Sequence, residues 1–173
     1  MFPVDPLSER SADGPPGPGP VTPPRAGQPL QPLSAGEEAL VRALGRVLVA
    51  LPRSMDDDML REQGRPLSEY TALMLLSEAP GRSMRMSELA AASLLSLSGM
   101  TRVISRLESD GLVQRVRCDS DARGLNAVLT DAGLAKLAQM WPTHLASARR
   151  HILDRLGGVD LAELTLALER LAT

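Results

Sequence analysis

The stretch Ser96-Leu97-Ser98-Gly99-Met100-Thr101-Arg102-Val103-Ile104-Ser105-Arg106-Leu107-Glu108-Ser109 decides the fold. At about 100° per residue, Leu97, Met100, Val103, Ile104 and Leu107 gather on one side of a helix. Ser98, Thr101, Arg102, Ser105, Arg106 and Ser109 gather on the other, with Gly99 at the margin. Ser96 is a good N-cap, and Gly111 ends the helix after Asp110. The polar side carries no carboxylate until Glu108 and Asp110, which leaves Arg102 and Arg106 unopposed there. In a chain with 21 acids, an ordinary solvated face would mix its signs. Small hydroxyls let a helix approach closely, and arginines take guanine edges bidentately or sit on phosphates. This face is therefore expected to contact DNA through Ser98, Gly99, Thr101, Arg102, Ser105 and Arg106, the alternative being a plain surface helix.

Immediately upstream, Ser87 can cap a short helix from Glu88 to about Ser93, with Leu89 and Ala92 inward. A short helix, a turn and a second helix with one cationic face is the helix-turn-helix arrangement. Downstream, Leu112–Arg117 and Ala127–Leu129 alternate as strands should, around the polar turn Asp119-Ser120-Asp121-Ala122-Arg123-Gly124. The resulting β-hairpin is a wing, with Arg115, Arg117 and Arg123 on or beside it as further DNA contacts. An arginine near the tip, as Arg123 is, can enter a narrow minor groove or rest on a phosphate. It can also pair with Asp121 to fix the turn, and both roles can hold together.

Farther out, the pattern is helical. Leu40, Leu44, Val47, Leu48 and Leu51 recur at helical spacing, and Val41, Ala43 and Val49 widen the apolar surface beyond one stripe. Pro52 is expected to kink or end this helix, with Ser54 capping a continuation through Asp56-Asp57-Asp58, read as first-turn charges, to about Gln63. Ser68 caps a helix facing inward through Ala72, Leu73, Leu75 and Leu76, which Pro80-Gly81 stops. After the wing, Thr130 caps a long helix with Leu134, Leu137, Trp141, Leu145 and Ala148 on one face, kinked at Pro142 and reaching about Leu156. Asp160 caps a last helix carrying Leu161, Leu164, Leu168 and Leu171. The fold class is mainly α with one small β-hairpin wing. Residues 1–34, with ten of the fourteen prolines, read as a disordered tail, and residues 35–173 as one domain.

This order of elements resembles the MarR family of winged helix-turn-helix regulators. The matching residues are Leu67-Ser68-Glu69-Tyr70, Met86-Ser87-Glu88-Leu89-Ala90, and Thr101–Glu108 running into Gly111-Leu112-Val113. The wing matches most specifically, through Asp119–Gly124 followed by Val128-Leu129-Thr130-Asp131-Ala132-Gly133. The resemblance implies a homodimer joined through residues 35–63 and 131–173, with 67–130 as the DNA-binding lobe on a pseudo-palindromic duplex. The wide apolar surface of residues 39–51 and the Leu161–Leu171 stripe independently support a dimer, having too little to bury against in one small chain. The resemblance also implies a repressor released by a small, often aromatic or phenolic, ligand bound between dimer arm and lobe. Leu51, Met55, Tyr70, Met74, Trp141, His144 and Arg149 are placed to line such a site, although Met55, Met74 and Trp141 read equally well as core. Some family members are redox switches, and Cys118, beside Arg117, is the one thiol available for that.

Composition bounds the rest. The chain has 173 residues, a net charge of −2, and arginine in 18 of its 19 cationic positions. No apolar run approaches the length of a membrane span, no signal peptide is visible, and a single cysteine fits a reducing cytoplasm. No cofactor or metal is expected: His144 and His151 stand about 10.5 Å apart along one helix and cannot chelate one ion. No phosphate loop or nucleophile motif supports an enzyme. A winged-helix module using this surface for protein contacts is the other reading. The near-neutral total argues against a non-specific DNA binder. From Arg82 to Arg123, however, seven arginines face five acids, so binding is expected to depend on a few well-placed arginines.

Overall fold

The computed structural model describes residues 31–118 and 121–172, with the side chains of residue 118 and residues 121–124 outside the description. The expected disordered tail, apart from residues 31–34, lies outside the described residues. Ser34 opens α1 (Ala35–Gln63) with a capping box: its Oγ accepts from the Glu37 N–H at 3.3 Å, and Glu37 Oε2 accepts from the Ser34 N–H at 2.7 Å. The helix does not end at Pro52, and α1 runs through it as a single element. Pro52 and Leu48, whose carbonyl loses its donor, are both exposed, so the missing bond falls on the open side of the helix. Ser54 is thus no cap, and Asp56-Asp57-Asp58 lie inside the helix rather than in a first turn.

Asp56 caps a different helix. Its Oδ1 accepts from the Leu67 N–H at 2.7 Å, at the start of α2 (Leu67–Glu78). This contact from α1 starts α2 earlier than expected, with Pro66 rather than Ser68 at the N-cap. A short 3₁₀ turn leads to β1 (Ser83–Arg85), a strand that the sequence pattern does not announce. α3 (Met86–Ala92) also starts earlier than Ser87 would place it, with the Arg85 N–H donating to Glu88 Oε2 at 3.4 Å. α4 (Leu97–Ser109) begins as expected: Ser96 Oγ accepts from the Gly99 N–H at 3.1 Å.

β2 (Val113–Cys118) and β3 (Asp121–Leu129) form the wing, and β1 joins the open edge of β3 in an antiparallel sheet of order β1-β3-β2. β3 starts at Asp121, so the hairpin is longer than the polar turn suggested. Val113, Arg115 and Arg117 oppose Leu129, Ala127 and Leu125 and share one face of the sheet. Thr130 Oγ1 accepts from the Gly133 N–H at 3.0 Å to open α5 (Asp131–His151). Gly133 is required here, because a Cβ would stand 2.1 Å from the Leu112 carbonyl oxygen.

α5 also runs through its proline, Pro142, whose side is exposed, and it ends at His151 with a 3₁₀ turn at Leu153–Arg155 instead of reaching Leu156. Its buried stripe is Gly133, Leu137, Met140, Thr143 and Ser147, not the one expected. Polar contacts to α1 set that rotation: Gln63 Nε2 donates to Thr143 Oγ1 at 2.8 Å and Ser147 Oγ to Asp58 Oδ2 at 2.9 Å. Trp141 and Leu145 are left exposed. α6 (Leu161–Leu171), capped by Asp160, buries no residue within the chain.

The core lies between the end of α1, α2, α3, α4, the sheet and the first half of α5. Tyr70, Leu73, Leu76, Leu89, Met100, Ile104, Leu107, Val113 and Met140 are fully enclosed. By contrast, Leu40, Val41, Val47, Leu48, Leu161, Leu166, Leu168 and Leu171 are exposed. Among the described residues, no helix is long and apolar enough to cross a membrane.

Candidate nucleic-acid interface

α3 and α4 meet at the turn 93–96, where the Leu95 N–H donates to the Ala90 carbonyl at 2.9 Å. Met100, Val103, Ile104 and Leu107 anchor α4 in the core, as expected. Leu97, expected among these anchors, is instead 56% exposed. Ser98, Thr101, Arg102, Ser105 and Arg106 all face outward, so α4 presents the polar surface that its periodicity describes.

The side chains on that surface fall into two groups. Arg102 is exposed and forms no ion pair among the described residues, leaving its five N–H donors available. Arg117 on β2 is likewise exposed. Arg106, in contrast, is opposed. Its Nε donates at 2.6 Å to Glu69 Oε1 on α2, a carboxylate only 2% exposed. Glu69 Oε2 also accepts from Arg65 Nη1 at 2.8 Å, and Arg65 Nη2 reaches Asp110 at 2.5 Å. The chain Arg106–Glu69–Arg65–Asp110 fastens the end of α4 to α2 and the linker before it.

Arg115 is committed as well. Its guanidinium donates to the Thr101 carbonyl at 3.1 Å and Ser105 Oγ at 2.6 Å, and Nη1 pairs with Glu108 at 3.1 Å. Expected to touch DNA, it instead clasps the wing to the middle of α4. The hydroxyls of the reading face are partly spent too. Ser98 Oγ lies 3.1 Å from Ser96 Oγ, and Thr101 Oγ1 donates to the Leu97 carbonyl at 2.8 Å. Gly99 serves the cap, since a Cβ there would crowd Ser96 Oγ at 3.2 Å. The side chains of Arg123, Asp121 and Cys118 lie outside the described residues.

Of the residues expected to line an effector site, the structure gathers three. Tyr70 on α2 and His144 on α5 stack with ring centroids 4.2 Å apart, and Trp141 tilts against His144 at 6.2 Å. Tyr70 Oη and His144 Nδ1 are buried without a hydrogen-bond partner among the described residues. Burial, helped by the Glu78 charge, pushes the Tyr70 hydroxyl up to about 12, and burial lowers the His144 pKa. Met55 is buried, Met74 packs against the core, Leu51 is half-buried and Arg149 is exposed.

A second buried carboxylate escaped the sequence reading. Asp58, 4% exposed, accepts from Ser147 Oγ, Arg150 Nη1 and His151 Nε2 at 2.9 Å each, and from Arg61. The Arg61 hydrogen bond, with those from Ser147 and His151, holds its carboxyl well below the usual range against the opposing effect of burial. Its position gives it away: Leu51, Met55, Asp58 and Met59 form one helical stripe, as do Glu69, Ala72, Leu73 and Leu76. An acid inside an apolar stripe signals a buried ion pair. Among the described residues no cluster of ligating side chains could hold a metal ion.

A helix-turn-helix with a cationic outer face, braced by a β-hairpin wing, defines a winged helix-turn-helix protein. A MarR family profile matches residues 63–124. A helix-turn-helix-type transcriptional repressor of Mycobacterium tuberculosis is 34% identical over 110 residues, covering 64% of this chain and 77% of the relative. Among solved structures, AbsC, a MarR family transcriptional regulator of Streptomyces coelicolor, aligns with a TM-score of 0.73 and 40% identity over 83% of this chain and 96% of its own. Sco3205 of the same organism, a MarR family regulator solved in complex with DNA, aligns at 0.75 with 32% identity over 83% and 90%. The chain belongs to the MarR family of transcriptional regulators.

Proposed function

We propose that this protein is a repressor that binds a specific pseudo-palindromic duplex as a homodimer, with α4 in the major groove and the wing on the flanking backbone. The observation that carries this reading is the outer face of α4, where Arg102 is exposed, with no ion pair among the described residues, between exposed hydroxyl-bearing turns. The likeness to Sco3205, crystallised on DNA, supports it. The dimer is supported by the exposed apolar residues of α1 and α6, which one chain leaves uncovered. Burying such surfaces, at about 25 cal/mol per Å², outweighs any exposed ion pair of this chain.

The test is a gel shift with duplexes enriched from a random pool. Arg102→Ala should cost about 1–3 kcal/mol on the enriched duplex and relax its sequence preference. Unchanged preference in that variant would remove Arg102 from the reading face, and failure to enrich any duplex would remove the regulator reading itself.

A second observation favours control by a ligand. The stacked Tyr70–His144 pair joins the lobe to α5 and holds two unpartnered polar atoms, so a small polar aromatic compound inserted there would gain hydrogen bonds. Release of the enriched duplex by such compounds, lost in Tyr70→Phe, is the expected behaviour.

A further inference from the structure

We infer that Leu97 and the methyl group of Thr101 form an apolar contact that selects thymine through its 5-methyl group, one element of sequence recognition beyond the arginines. The inference rests on the reading of α4 as the DNA-contacting helix.

The argument begins with burial. Leu97 is the first residue of α4 and stands on the flank of its apolar side, yet it is 56% exposed, whereas Met100, Val103, Ile104 and Leu107 are enclosed. An exposed leucine at the start of this helix presents apolar surface to whatever its outer face meets. The first turn of a helix-turn-helix second helix is the part that reaches base edges. Thr101 lies one turn on, at i+4, on the same side of the helix and exposed. Its hydroxyl is committed to the Leu97 carbonyl at 2.8 Å, leaving the methyl as its free group. Leu97 and Thr101 together therefore offer a largely apolar edge with no free side-chain donor.

Base chemistry then decides the partner. Of the four bases, only thymine carries a methyl group in the major groove, and the hydrogen-bonding atoms on the other edges there would be left unpaired against Leu97. Arg102 follows Thr101 on the outer side, so one thymine contact and one arginine contact would fall on neighbouring base pairs.

The experiment uses the full chain and a duplex enriched from a random pool. Each thymine is replaced in turn by deoxyuridine, which removes the 5-methyl group and nothing else. At one thymine per half-site, binding by the wild type should weaken about three- to tenfold, the size expected for one methyl taken out of contact. Leu97→Ala should discriminate between thymine and deoxyuridine duplexes less than the wild type does. Thr101→Val, which keeps the methyl, should retain the discrimination, and Thr101→Ser should reduce it. The inference is overturned if no single replacement weakens wild-type binding, or if Leu97→Ala discriminates as strongly as the wild type. A pool that enriches a duplex insensitive to deoxyuridine overturns this inference alone. One that enriches nothing overturns the regulator reading with it.

Discussion

Glu69→Gln is the substitution that separates Arg106 the tether from Arg106 the reader. Glu69 is buried and takes two charged donors, Arg106 Nε at 2.6 Å and Arg65 Nη1 at 2.8 Å. Glutamine keeps one acceptor but turns an NH₂ group toward the other guanidinium, so one charge-assisted bond is lost outright. Breaking a fully buried ion pair costs about 3–5 kcal/mol, because the stranded partner stays buried and uncompensated. Here the strandings are milder. The Arg106 side chain is 53% exposed, and Arg65 retains Asp110 at 2.5 Å. The expected loss is therefore about 1.5–3 kcal/mol, the range of one hydrogen bond to a charged group.

Urea unfolding followed by circular dichroism, at one fixed protein concentration, measures this for Glu69→Gln, Arg106→Ala and the double variant. A coupling energy of about 1–2 kcal/mol is expected, and base preference on the enriched duplex should survive in both single variants. The reasoning is refuted if Arg106→Ala leaves stability unchanged and relaxes base preference while Glu69→Gln tightens DNA binding. That outcome would mean the guanidinium leaves Glu69 to read a base.

Three other outcomes follow from the same geometry. Gly133→Ala would gain about 1 kcal/mol of helix propensity, but its Cβ would meet the Leu112 carbonyl oxygen at 2.1 Å and Leu129 Cδ1 at 2.6 Å. The clash wins, so a net loss of about 1–3 kcal/mol in urea unfolding is expected, and a gain would contradict the packing described. Asp58 has a lowered pKa, so its contribution is present above the ordinary carboxyl value near about 4 and is lost as pH falls below it. Asp58→Asn should be less stable by about 2–4 kcal/mol at neutral pH and should lack that part of the acid-induced decline. His144 is also depressed, so folding disfavours its protonated form, and stability should fall as the pH drops below about 6.5. His144→Phe, which can keep the stack on Tyr70, should flatten thermal midpoints between about pH 7 and pH 5; an unchanged slope would reject burial as the cause.

The architecture was legible in the sequence wherever a residue's role is local. The caps at Ser96, Thr130 and Asp160 and the split faces of α4 depend on neighbours within one turn, and they are found where periodicity puts them. Local reasoning failed where the deciding partner is distant in sequence. Pro52 does not end α1, because its side is open and α5 packs on the other. Ser68 lost the N-cap to a carboxylate from α1. β1 is three residues long and exists only as an addition to the edge of β3, so no alternation reveals it. The site divided along the same line. Exposure of Arg102 follows from the helical wheel, whereas the commitments of Arg106 and Arg115 depend on Glu69 in α2 and on the packing of the wing against α4.

The Arg115 clasp has a mechanical consequence. A hairpin tied to the Thr101 carbonyl, Ser105 and Glu108 does not swing separately from the helix beside it, so the distance between the two elements proposed to meet the duplex is set before contact. Accommodation then falls to the nucleic acid: its groove width and roll must bring backbone and base edges to a rigid two-pronged gauge. Sequences with pliant pyrimidine–purine steps between the contacted positions should be preferred even where no side chain touches them. Cutting the clasp with Arg115→Ala should weaken that preference for flexible spacers.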